Sequence, residues 1–214
     1  LQKSKKIKRR IIYHTIIINL NFKIKMKNLK TILLAVLVTV STATISAQTK
    51  KVDVAKSKIN WVGKKVTGQH DGTINLKDGA LVFKGKKLAG GSFTVDMNSL
   101  VATDLKAGEG KEKLEGHLKS GDFFGTDKYA TSTLVFKTIA SKGKNVYTVT
   151  ADLTIKDKTN PVTFDITVKG NTASAALKVD RTKYDIKYGS GSFFDNLGDK
   201  TIYDDFELNV ALQF

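Results

Sequence analysis

No cysteine occurs among the 214 residues. That excludes disulfides, thiolate metal centres, cysteine nucleophiles, iron–sulfur ligation and a lipid anchor on an N-terminal cysteine. One proline and 17 glycines leave no collagenous or proline-rich segment. Acidic residues are missing altogether from positions 1–47, where ten of the 36 Lys/Arg lie. Positions 48–214 therefore carry 26 basic against 20 acidic side chains, only +6 of the formal +16. Charge of that size, interspersed in sign, serves solubility and does not track phosphates, so nucleic acid is not an expected partner. Long apolar runs are also scarce. The best of them, Ile32 to Val40, is about half the ~20 residues a bilayer-spanning helix needs. The length suits a single domain with a short addition.

The first 25 residues lack Gly, Ala, Val, Asp and Glu, while Ile, Lys and Asn supply 15 of them. They read as translated AT-rich upstream DNA, the alternative being a basic extension of the segment that begins at Met26. From Met26, a basic stretch (Lys27, Lys30), the apolar core and the small-residue exit Thr44-Ile45-Ser46-Ala47 have the layout of a signal peptide. The expectation is cleavage before Gln48, giving a soluble periplasmic or secreted domain over residues 48–214. The competing expectation is a retained anchor.

Beyond Gln48 the dominant signal is alternation with period two, as in strands with one buried face. Tyr147, Val149, Ala151, Leu153 and Ile155 alternate with polar residues, and so do Val162, Phe164, Ile166 and Val168. The residues between, Asp157 to Pro161, read as a hairpin turn. Similar pairs and runs predict about eight strands, with Gly72, Gly79, Gly85, Gly90-Gly91, Gly143 and Gly170 as turn or bulge positions. One helix is predicted around Glu109 to Lys119, and an irregular insertion over Gly189 to Lys200. The result is an all-β antiparallel meander, closed as a barrel or folded as a sandwich. Ala151, Ala173 and Ala175 are small for an apolar face, which marks either room for a guest or a taper filled by Phe from opposite.

Several segments together resemble the YceI family of exported bacterial lipid- and polyisoprenoid-binding proteins. They are Ile59-Asn60-Trp61 with Gly68-Gln69-His70-Asp71-Gly72; Gly90-Gly91-Ser92-Phe93-Thr94-Val95-Asp96-Met97; and the run from Leu114 through His117 to Asp122-Phe123-Phe124. Leu153-Thr154-Ile155 ahead of Pro161-Val162-Thr163-Phe164, and Ile202 with Asp204-Asp205-Phe206-Glu207-Leu208, extend the likeness over nearly all of residues 48–214. Tyr129-Ala130 departs from the family's usual Tyr-Pro. The resemblance implies an extended, lipocalin-like antiparallel barrel of eight strands, with a short helix across one end and an apolar lumen for a polyisoprenoid or other long amphiphilic lipid. It leaves the chain noncatalytic, with no cofactor beyond the bound lipid.

On that basis the expected lumen residues are Trp61, Phe93, Val95, Val149, Ala151, Leu153, Phe164, Ile166, Ala173, Ala175 and Leu177. Candidates for a lid or mouth are His70, His117, Phe123, Phe124, Phe193 and Phe194. Transient membrane contact, and a monomer or homodimer, complete the expectations. The rival is an envelope enzyme using His70 and His117 for metal or acid–base chemistry, and a structural or adhesive role is a third. The two histidines lie 47 positions apart without His-x-His or His-Glu-x-x-His spacing, which favours a structural hydrogen-bonding role for them. The Ser190 region lacks a Gly-x-Ser-x-Gly elbow, and Asp204, Asp205 and Glu207 lack the spacing of a calcium loop.

Overall fold

The computed structural model describes residues 46–214, so the expectations placed on 1–25 and on the leader up to Ile45 lie outside the described residues. Among these described residues nine strands occur in chain order: β1 (Ala47–Lys51), β2 (Lys58–Lys65), β3 (Gly68–Lys84), β4 (Lys87–Ala102), β5 (Thr131–Gly143), β6 (Val146–Ile155), β7 (Lys158–Lys169), β8 (Thr172–Asp180) and β9 (Ile202–Gln213). A helix, α1 (Lys111–Lys119), lies between β4 and β5. From β2 onward each strand pairs antiparallel with the next, and β9 returns to β2, closing an eight-stranded barrel. Closure removes the unpaired edges that a sandwich would keep.

The short β1 is not a ninth stave. It pairs with Ala80 to Lys84 at the end of β3, whereas β2 pairs with Gly68 to Ile74 at its start. The two therefore share one position in the wall, interrupted by a turn in which the Asp53 carboxylate accepts the amides of Ala55 and Lys56 at 3.2 Å. β3 is also longer than its alternation suggests, because Ile74/Leu76 and Leu81/Phe83 belong to one strand that runs through Gly79. The glycines at 72 and 79 sit inside it for want of space. A Cβ on Gly72 would overlap the Val101 carbonyl oxygen and come within 2.6 Å of the Trp61 ring, and one on Gly79 would come within 2.7 Å of Phe93. Gly90 and Gly91 likewise lie within β4, while Gly85, Gly143 and Gly170 take the positive φ of turns.

The β6–β7 connection differs from its sequence reading. The turn is the two residues Lys156 and Asp157, at φ 50° and 58°, and Lys158 already pairs with Ile155. Two-residue turns of this hand match the twist of the flanking strands. Counting back from Ile155 and Lys158, alternate pairs exchange hydrogen bonds, so Pro161 falls opposite Asp152 at a non-bonded position. Its missing N–H would face β8, which pairs with β7 only over Ile166 to Lys169. A strand interior thus tolerates proline at this position.

The helix starts later than predicted, at Lys111 behind a left-handed Gly110. The Glu112 carboxylate accepts amide hydrogen bonds, its own and that of Gly108, and these hold it below the usual carboxylate range. The irregular insertion is a connection from Arg181 to Thr201 containing two 3-10 turns, Arg181–Tyr184 and Gly198–Lys200. The two long connections lie at one end of the barrel together with the β2–β3 and β6–β7 turns, and the β3–β4, β5–β6 and β7–β8 hairpins define the other. The hairpin end is solid: Leu81, Phe83, Leu88, Tyr147, Val149 and Val168 are buried there against one another.

Candidate functional site

The other half of the barrel is hollow. A cavity of about 500 Å³ is bounded by inward positions of all eight barrel strands, among them Trp61, Leu76, Phe136, Leu153, Phe164 and Val210. Alternation puts these side chains inside and sends Thr, Lys and Asp outward. The Ser132 hydroxyl in this wall donates to the Thr154 carbonyl at 2.9 Å, so it is already satisfied. The interior is largely apolar and suited to hydrocarbon, with the buried indole N–H of Trp61, in the same wall, left without a hydrogen-bond partner among the described residues.

Phe93, Val95, Ile166, Ala173, Ala175 and Leu177, together with Trp61, Leu153 and Phe164, bound the cavity. Val149 and Ala151 are fully buried but lie outside its wall. The cause at Ala151 is its partner across the strands, Phe136. That ring stands 5.7 Å from Phe93 and 6.0 Å from Phe164, and the three aromatics make a floor between cavity and solid core. Ala173 and Ala175 have no such ring opposite, being paired with Val168 and Ile166 on β7 and with Leu212 and Val210 on β9. Small side chains thus leave space at 173 and 175 and accommodate a phenyl ring at 151.

His70, His117, Phe123 and Phe124 border the cavity where the long connections gather. His70 Nδ1–H donates to Asp104 Oδ2 at 2.7 Å, a carboxylate being acceptor only. The His117 ring meets Phe123 and Tyr188 edge-on, at 4.9 and 4.5 Å, with Nε2 3.6 Å from Asp122. Each histidine has its own carboxylate, and among the described residues no group of three His, Asp or Glu is placed to hold a metal ion. Phe193 and Phe194 lie outside the cavity wall and are half exposed, Phe193 beneath the Lys187 ammonium at 5.0 Å.

Sequence reasoning passed over Arg181, which also borders the cavity with its side chain only 4 % exposed. Its guanidinium donates to three carbonyls, from Nε to Tyr203 (3.1 Å), Nη1 to Ile186 (2.8 Å) and Nη2 to Ile202 (3.0 Å). Burial draws its pKa down, opposed by the charges of Asp204 and Asp180, and it remains a cation. Burial also works against the Asp204 carboxylate, but the hydroxyls of Ser190 and Ser192 and the nearby guanidinium hold it below the usual range. The signal was available, since Arg181 is the only arginine in residues 48–214. A flat fork of donors does what a lysine cannot.

Comparison with known proteins agrees with this geometry. The YceI-like domain matches residues 50–214. BcnA of Burkholderia cenocepacia is 27% identical, with a TM-score of 0.60 over 75% of this chain and 98% of its own. A polyisoprenoid binding domain from Saccharophagus degradans, implicated in plant cell wall breakdown, shares the fold at 14% identity, with a TM-score of 0.51 over 76% of this chain and 95% of its own. The UPF0312 protein of Staphylococcus aureus strain USA300 is 49% identical over 59 residues, 28% of this chain. The match spans about a third of the length of that curated relative, 32%.

Proposed function

Since the chain belongs to the YceI-like domain family, we propose that it is a noncatalytic binding protein whose lumen takes up the apolar chain of an amphiphilic lipid of polyisoprenoid type. The observation that carries this reading is the apolar cavity of about 500 Å³ closed by a solid core at one end. Each Å² of hydrocarbon moved from water into such a lumen gains about 25 cal/mol, so a few hundred Å² gives several kcal/mol before ordering costs. The Saccharophagus degradans domain that shares the fold is described as a polyisoprenoid binding domain, which supports the chemical class.

Mass spectrometry of lipids extracted from gently purified protein tests the reading. The expected result is a long-chain lipid near one per protein. A lipid-free protein that also takes up no added polyisoprenol from detergent would exclude it. Changing His70 and His117 together to Gln keeps some hydrogen bonding and removes imidazole chemistry. Uptake should persist, with stability falling by about 1 kcal/mol or less. Loss of uptake with a folded barrel and a stoichiometric metal gone would favour the enzyme instead.

Export to the periplasm or beyond belongs to the same proposal, resting on the pattern of residues 26–47. N-terminal sequencing of protein from producing cells should begin at Gln48, and peptides from residues 1–25 should be missing from those cells.

A further inference from the structure

We propose that the rim of the cavity is a membrane-docking surface, through which ligand passes between a lipid bilayer and the lumen; this rests on the lipid-binding reading above. Seven large hydrophobic side chains are exposed among the described residues. Two of them, Val54 and Val135, stand apart on other parts of the barrel. The other five, Val66, Tyr188, Phe193, Phe194 and Tyr203, belong to the β2–β3 turn, the β8–β9 connection and the start of β9. These three segments are tied together. The Val66 amide donates to the Thr201 carbonyl at 3.0 Å, the Ile202 amide to the Gly189 carbonyl at 2.8 Å, and the Ser192 hydroxyl to Asp204 at 2.6 Å. Tyr188 and Tyr203 are both half exposed and part of the cavity wall, so the outer apolar patch is continuous with the lumen.

A monomer gains nothing by holding four aromatic rings half in water, and a concentration of them at one end marks a contact surface. Tyr and Phe with neighbouring Lys are residue types that settle at the boundary between headgroups and acyl chains. Lys65 and Lys200 lie on the cavity rim and form no ion pair among the described residues, which leaves their ammonium groups for lipid phosphates. Asp195 and Asp199 stand on the same connection, so apolar insertion rather than net charge drives the contact. The occupant follows from the lumen. A chain that dissolves in an apolar cavity is scarcely present in water, and the phase that holds it is the bilayer.

Cosedimentation of the protein as purified from producing cells with vesicles of phosphatidylcholine and phosphatidylglycerol tests this. The wild type should sediment with vesicles, and Phe193→Ser with Phe194→Ser should weaken binding about tenfold, since two rings no longer leave water. Val135→Ser should change nothing, and Phe194→Ser alone should have an intermediate effect. The double variant should reach the same loading as wild type from detergent, but load more slowly from vesicles. Vesicle binding by the double variant equal to wild type overturns the proposal, whether an N-terminal segment or a second copy of the chain then accounts for the rim. A wild type that ignores vesicles overturns it too. Vesicle binding with the predicted dependence on Phe193 and Phe194, but no loading from detergent, would support docking and exclude the lumen reading separately.

Discussion

Arg181→Leu should lower the unfolding free energy by about 3–5 kcal/mol, the range found when one member of a buried charged network is removed. Three carbonyls, of Ile186, Ile202 and Tyr203, lose their donor, and the Asp204 carboxylate loses its nearest cation at 3.6 Å. Leucine fills part of the space and satisfies none of the acceptors. Arg181→Lys keeps the charge but offers a single ammonium to three divergent carbonyls, so about 2 kcal/mol should still be lost. Urea denaturation reads both, with the slope against denaturant unchanged. A loss under about 1 kcal/mol for Leu would mean that water replaces the guanidinium at this position. Ligand content should fall as well, because Arg181 ties the first 3-10 turn to the start of β9 and lies 5.8 Å from the Phe123 ring at the cavity.

Ala175→Trp should abolish lipid loading while leaving the thermal transition nearly in place. Ala175 borders the cavity between Ile166 and Val210, so an indole there enters empty space. Overpacking a filled core costs about 1–3 kcal/mol, and that cost should be largely absent at 175. Ala151→Trp is the matching control. Residue 151 is fully buried opposite Phe136 and outside the cavity wall, so the same substitution should destabilise strongly. If 175 and 151 respond alike, the lumen has no room for an indole and none for a lipid chain beside β8.

Much of this was legible because alternation is a local property. The inward set on β6, from Tyr147 to Ile155, came directly from period two, and so did the inward set on β8. Whether a given inward residue borders space or solid core was not legible, because it depends on the residue across the sheet. Ala151 and Ala173 read identically in sequence, but Ala151 lies between Phe136 and Val162 whereas Ala173 lies between Val168 and Leu212. Barrel closure was equally hidden, since the β2–β9 pairing joins residues with no sequence signal in common, and only the family resemblance supplied it. The turn at Lys156 and Asp157 was displaced in the reading by Pro161, which is tolerated inside β7 by a gap in β8 pairing that no local pattern reveals.

The β2–β9 seam also sets the order of events in folding. It joins Lys58–Lys65 to a strand beginning at Ile202, whereas every other barrel pairing joins consecutive strands. Loop closure over such a distance is entropically costly and gains nothing until the final strand arrives. The hairpins can form early, but their inward faces stay wet until the last dozen residues dock. During that interval the chain carries the apolar surface of a barrel without its inside, the condition in which β proteins aggregate. Ligand competence should therefore appear only in the last kinetic phase of refolding, and a ligand present from the outset should raise the yield of closed barrel without speeding the formation of its hairpins.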